Sequence, residues 1–295
     1  MSEGQHWPDK RRVTVVGAVL NLLLSIGKVA GGIVGQSQAL IADGVHSLSD
    51  LASDGLVLLA ARFGSREADH NHPYGHARIE TLATLGVGLV LLSIGAAFLI
   101  DSATRILEPA RQLQPGWLAF WIAVLSVLVK EGLYHYTVQV ARRTESALLV
   151  ANAWHHRSDA LSSVVVIVGV VGAMMGMRWL DSVAAAIVGI MLGWVGWRLL
   201  GSAAAELVDT GLSNRELNAL SATIDGVNGV VFHRQLRSRR MGGRIFVDVR
   251  VHVDPDLKVA EAEQIRHRVA ERMIDQLPGR ADVVISIASA DQAVE

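Results

Sequence analysis

The chain has 295 residues, of which 51% are hydrophobic and only 19% charged, and its formal net charge is −1. Soluble domains carry about a quarter charged residues, so the deficit points to apolar segments, and the near-zero charge excludes a globally basic nucleic-acid binder. No cysteine is present, which excludes disulfides and restricts any metal site to nitrogen and oxygen donors.

The N-terminus, MSEGQHWPDKRR, is polar and is expected to form a tail over residues 1–12. The apolar run that follows is too long for the core of a signal peptide, and no small-residue cleavage pattern follows it. A spanning helix needs roughly 20 mostly apolar residues. Runs of that kind lie at 13–34, 39–61, 79–100, 117–140, 147–175 and 179–200. The second, fourth and fifth contain ionisable residues, which lowers their hydropathy. Six such runs in succession predict a six-helix transmembrane domain over 13–205.

Orientation follows from Lys and Arg in the loops. With the N-terminus inside, Lys10, Arg11, Arg12, Arg62, Arg66, Arg78, Arg142 and Arg143 fall on the cytoplasmic side. Only Arg105, Arg111 and Arg178 fall outside. An even number of spans then places the C-terminal part, 206–295, in the cytoplasm as well.

That part reads as a soluble α/β domain, in the order α-β-β-α-β. A helix is predicted over 213–224 with Ser213 as its N-cap, then a strand over 230–239 and a turn at Gly242-Gly243. Residues 244–254 alternate: Ile245, Val247, Val249, Val251 and Val253 face one way, and Phe246, Asp248, Arg250, His252 and Asp254 the other. That is the period of a half-buried strand, with His252 on the polar, solvated side. An amphipathic helix over 259–277 presents Ala262, Ile265, Val269 and Met273 on one face, and a last strand covers 282–288.

The chemistry lies in an internal repeat. ADGVHSLSDLAS begins at Ala42 and ANAWHHRSDALS at Ala151. Both fit A-[D/N]-x-x-H-x-x-S-D-x-x-S, and both lie inside predicted spans. His and Asp four residues apart share one helix face, so His46 points with Asp50 and His155 with Asp159. Ionisable groups in a bilayer are costly and face a protein interior or a wet cavity. The second span runs inward and the fifth outward, which sets His46 level with Asp159 and Asp50 level with His155 near the midplane. Two imidazoles and two carboxylates form a tetrahedral set suited to zinc. The bland alternative is a pair of His–Asp clusters that only hold helices together. Asp43 and Asp54 extend the polar face of the second helix, either as a water path or as support for the ligands.

At these residues the sequence resembles the cation diffusion facilitator family, including its bacterial zinc transporters of the YiiP/FieF type. The resemblance covers almost the whole chain and implies a ferredoxin-like or metallochaperone-like cytoplasmic domain that dimerises. It implies exchange of a divalent cation for protons by a homodimer in the bacterial cytoplasmic membrane, with ligands at His46, Asp50, His155 and Asp159. Some relatives have Asp where this chain has His46, and the His form implies zinc ahead of cadmium. Asp69, His72 and His76, in the loop after the second span, match a family metal site at the cytoplasmic membrane edge. The expected ion is zinc, both as substrate and as a bound structural ion, with Cd2+, Co2+, Fe2+ and Mn2+ as other substrates. Arg78 and Asp209 match a charge pair that locks the membrane part to the cytoplasmic domain.

The C-terminal domain departs from the family. Where relatives bind zinc, this chain has Arg250, Glu263, Ser286 and Ala288, with His233 displaced by one residue. Only scattered His233, His252 and His267 remain. Lys130-Glu131 interrupts the fourth span: either one of the two lines a proton or water pathway, or Lys130 snorkels beside Glu131 toward the cytoplasmic half, and the second is the expectation. Two rivals to a secondary transporter are an intramembrane zinc hydrolase and a non-transporting metal sensor or scaffold. A hydrolase would want an open coordination position and a general base such as the Glu of H-E-x-x-H, and that motif does not occur.

Overall fold

The structure is a computed structural model that describes residues 7–292 except 65, 67, 145, 278 and 280. The first half of the expected N-terminal tail lies outside the described residues, and the first helix already begins at Trp7. Six long helices follow one another: α1 (Trp7–Val34), α2 (Gln38–Gly64), α3 (Arg78–Leu107), α4 (Trp117–Arg143), α5 (Ala147–Met174) and α6 (Trp179–Leu207). Five of them, α1 from Arg11 onward and α3 to α6, are long and apolar enough to cross a membrane. The exception, α2, carries Asp43, Asp50 and Asp54 together with His46. Its 27 residues, at about 1.5 Å each, still exceed a hydrocarbon core of roughly 30 Å. Its polar residues are therefore a face of a spanning-length helix rather than the sign of a loop.

The chain divides into two compact units. The first comprises the residues up to Leu56 with Val87–Arg198, and the second Val57–Gly86 with the residues from Leu199 onward. In the first unit the burial pattern of a soluble protein is inverted. Small residues such as Ala39, Ala42, Ala119, Ala123, Ala184 and Ala185 fill the inside with Val166, Val170 and Val188. Large ones such as Leu23, Leu128, Val168, Trp194 and Trp197 point outward. Lipid is as apolar as a leucine side chain, so helix association in a membrane depends on close packing by small residues. Gly44 shows the effect. A Cβ there would lie 2.8 Å from the backbone nitrogen of Val29 and 2.9 Å from Cβ of Lys28. Glycine thus lets α2 close on α1 beside Asp43.

The second unit contains a three-stranded sheet in the order β1-β2-β3: β1 (Phe232–Met241), β2 (Arg244–Val253) and β3 (Ala281–Ser289). β1 and β2 pair antiparallel through the two-residue turn Gly242-Gly243, and β3 joins β2 in parallel. Both turn residues have positive φ, 53° and 71°, as a tight hairpin with right-handed strand twist requires. A bulge between Arg234 and Arg237 shifts the register of β1.

The helices that pack on this sheet are α7 (Asn214–Asp225) and α8 (Val259–Gln276). Ser213 caps α7 in a capping box with Glu216, as the sequence predicts, and that hydroxyl holds the Glu216 carboxyl below its usual range. Leu220 and Ile224 of α7 and Ile265, Val269 and Met273 of α8 pack on Ile245, Val247, Val249, Val251 and Val253 of β2. The predicted apolar face of β2 is the buried one. The opposite face departs from expectation at His252, which is only 3% exposed. Its ring stacks on Phe232 with centroids 4.2 Å apart, and Nδ1 lies 3.1 Å from the carbonyl of Ser289. Cross-strand stacking buries a group that alternation alone puts in water.

Candidate metal centre

Asp50 follows His46 by one turn of α2, so both side chains leave the same face. Nδ1 of His46 lies 3.7 Å from Oδ2 of Asp50. Both atoms are shielded from solvent and have no hydrogen-bond partner. Buried polar atoms are almost always satisfied, so this pair calls for a ligand. α5 supplies Asp159, and one donor atom from each of His46, Asp50 and Asp159 lies within 4.8 Å of the others. One nitrogen and two carboxylate oxygens at that spacing suit a divalent cation.

The fourth expected ligand stands at one remove. Nε2 of His155 is 3.9 Å from Oδ2 of Asp159, and the side chain is 49% exposed. His155 lines a cavity of about 100 Å3 with Asp50, Asp54, His156 and Asp159. The antiparallel level-matching predicted for His46 and Asp159 therefore describes these helices, whereas His155 sits at the edge of the group. His156, which the repeat does not single out, is buried. Neither of its ring nitrogens has a hydrogen-bond partner.

Two lysines surround the acids. Lys130 does not snorkel: it is fully buried, its ammonium 3.1 Å from Oδ2 of Asp159 and 3.1 Å from Oγ of Ser47. An unmet carboxylate inside the bundle attracts the cation more strongly than the distant interface does. Its neighbour Glu131 is partly exposed and lies 3.3 Å from Nε2 of His135. Lys28, on α1, is also fully buried and pairs with Asp43 at 2.7 Å. The Asp43 carboxylate further accepts from Ser162 at 3.1 Å and Ser163 at 2.7 Å. Asp43 is thus held in an ion pair with Lys28 and by two serine hydroxyls. Sequence reasoning missed Lys28, although it is the only charged residue in the run 13–34.

The second cluster forms in the loop between α2 and α3. Oδ1 of Asp69 is 3.1 Å from Nδ1 of His72, and Oδ2 is 3.4 Å from Nε2 of His76. The three residues could hold one ion. Asp69 also accepts from the backbone N–H groups of His72 and Asn71, at 2.7 and 2.9 Å. These bonds, that of His72 first, hold its carboxyl below the usual range. Nearby, Nη2 of Arg78 donates to Oδ1 of Asp209 at 2.9 Å. Glu206, unremarked in the sequence, accepts from Thr81 at 2.6 Å and from the backbone of Gly242.

In the C-terminal domain the histidines are otherwise engaged. Nδ1 of His233 meets Asp225 at 2.7 Å and Nε2 meets Ser221 at 3.2 Å. His267 lies 3.8 Å from Glu271. Among the described residues no group of three or more metal-ligand side chains forms in this domain.

Comparison with known proteins agrees with this architecture. The model of the cation efflux transmembrane domain matches residues 14–208. That of the cation efflux protein cytoplasmic domain matches residues 212–289. The chain is similar to metal tolerance protein C1 of Arabidopsis thaliana, 33% identical over 95% of this chain and 62% of the relative. The chain thus spans less than two thirds of that protein's length. It is also similar to the manganese efflux system protein MneS of Bacillus subtilis, 29% identical over 89% of this chain and 90% of the relative. Magnetosome protein MamB of Magnetospirillum gryphiswaldense is 30% identical over 93% of this chain and 92% of the relative. With both family domains matched in order, and with long apolar helices followed by an α/β domain, the chain belongs to the cation diffusion facilitator family.

Proposed function

We propose that the protein is a secondary transporter that exports a divalent transition-metal ion, zinc foremost, from the cytoplasm in exchange for protons. The observation that carries this reading is the convergence of His46, Asp50 and Asp159 within 4.8 Å, with unpartnered buried atoms on His46 and Asp50. His155 would complete a four-ligand set on closing toward Asp159. Transporter sites commonly sit near the midplane between helices that rock against each other. Metal ligands must be deprotonated, so cation and protons compete for the same atoms. Metal from the cytoplasm displaces protons from the imidazoles, and protons from outside then release the metal.

On this reading the protein is a homodimer in the bacterial cytoplasmic membrane, surrounded by lipid, with both termini in the cytoplasm. The excess of Lys and Arg in the loops assigned to the inner side supports the orientation. The family model of the C-terminal domain supports the cytoplasmic placement. The Asp69, His72 and His76 cluster serves as a further zinc site at the membrane edge. Arg78 and Asp209 act as a structural charge pair. Manganese is the second reading for the substrate. It is favoured by the two carboxylates among the three converging ligands and by the name of the Bacillus relative, since oxygen donors suit Mn2+.

The test is uptake of zinc or manganese by proteoliposomes holding an imposed pH gradient. Uptake that rises with the gradient and vanishes when it is collapsed is the expected result. Uptake indifferent to the gradient contradicts antiport.

A further inference from the structure

The coordination just described leaves Lys130 without a part. Its ammonium is buried beyond the reach of solvent. It binds Oδ2 of Asp159, the oxygen that also faces His155. A divalent cation held by His46, Asp50 and Asp159 would need that carboxylate, and like charges a few ångströms apart repel strongly where the dielectric is low. Metal and ammonium therefore compete for one carboxylate. The surroundings also give the ammonium a second partner. Ser47, one residue after His46, accepts from Lys130 at 3.1 Å and from Lys28 at 3.3 Å. Lys28 stays neutralised by Asp43, which leaves Lys130 as the cation that can move.

We propose that Lys130 is a tethered competitor of the transported ion, its ammonium holding both Asp159 and Ser47 in the metal-free protein and keeping only Ser47 when a divalent cation binds. The idea rests on the metal-centre reading above. It assigns Lys130 two effects. The empty site is spared an unpaired buried carboxylate on Asp159 during the return of the carrier, and the returning ammonium helps expel the ion. A purely structural ion pair between α4 and α5 would have neither effect.

The experiment is zinc-binding calorimetry on the purified full-length protein in lipid nanodiscs, comparing wild type, Lys130→Gln, Ser47→Ala, Lys28→Gln and Asp50→Ala. Binding removed by Asp50→Ala defines the site, and if Asp50→Ala binds as wild type does, the metal-centre reading itself is contradicted. Given that site, Lys130→Gln should bind zinc about tenfold more tightly, within the usual range of coupling between two ligands. Ser47→Ala should bind more weakly, because Ser47 is one of two partners of the ammonium in the metal-free protein but the only one left to it once the metal has taken Asp159. Opposite signs from two neighbours are not what a general loss of packing produces. Affinity unchanged or weakened in Lys130→Gln overturns the proposal, as does equal tightening by Lys28→Gln. Should Lys130→Gln fail to fold, Ser47→Ala decides alone, and an unchanged affinity overturns it.

Discussion

Lys28 and Asp43 form a fully buried ion pair at 2.7 Å that joins α1 to α2 just before the first histidine of the repeat. Removing one partner of such a pair leaves an uncompensated charge and costs about 3–5 kcal/mol, whereas replacing both by apolar residues is often neutral or better. Lys28→Met alone and Asp43→Leu alone should therefore lower the unfolding temperature of the purified protein sharply. The double variant should recover most of the loss. Equal destabilisation by all three variants would show that the two charges do not depend on each other.

His46 supplies the only nitrogen among the three converging ligands. His46→Asp replaces it by oxygen, and harder donors shift preference from zinc toward manganese. In competition uptake assays the ratio of zinc to manganese transported should fall. A ratio that stays constant or rises would show that selectivity is set elsewhere.

Much of this could be read from the sequence, and the exceptions share a cause. Helix positions, the capped start of α7 and the apolar face of β2 follow from local periodicity and capping, which need only neighbours along the chain. His46, Asp50 and Asp159 were legible because charged residues inside apolar helices are costly, and chance seldom repeats one His–Asp spacing in two of them. The burial of Lys130 was not, because whether a lysine reaches the interface or turns inward depends on a carboxylate from another helix. His252 was misplaced for the same reason: Phe232 comes from the adjacent strand. Lys28 was legible in principle as a lone charge in an apolar run. The partly exposed position of His155 depends on how α5 is rotated, which the repeat does not specify.

The loop cluster makes a prediction about pH. The N–H groups of His72 and Asn71 hold the Asp69 carboxyl below the usual range, so the folded value lies under the unfolded value of about 3.9. Stability from these bonds is present above the unfolded value and lost as pH falls through the folded one. In an NMR titration the Asp69 carboxyl should reach its midpoint below pH ~3.9. A midpoint above that value would contradict the turn geometry of residues 69–72.

Met273 is fully buried against the sheet. Met273→Ala should destabilise the C-terminal domain by about 2–5 kcal/mol, the usual cost of a buried methionine truncated to alanine. It removes no metal ligand, so zinc binding in the membrane part should persist. Loss of that binding with the domain still folded would show a dependence that the ligand set does not explain.

The central claim is that His46, Asp50 and Asp159, joined by His155, carry the transported ion. It is tested most directly by zinc uptake into proteoliposomes reconstituted with Asp50→Asn, a variant that keeps the shape of the side chain and removes its charge. Losing even a supporting partner of a metal ligand costs about 10- to 100-fold in affinity or activity. The account predicts a fall in uptake of at least about 100-fold, with the unfolding temperature of the metal-free protein unchanged or raised, since the unpaired charge at position 50 is gone. Uptake at the wild-type rate would contradict it.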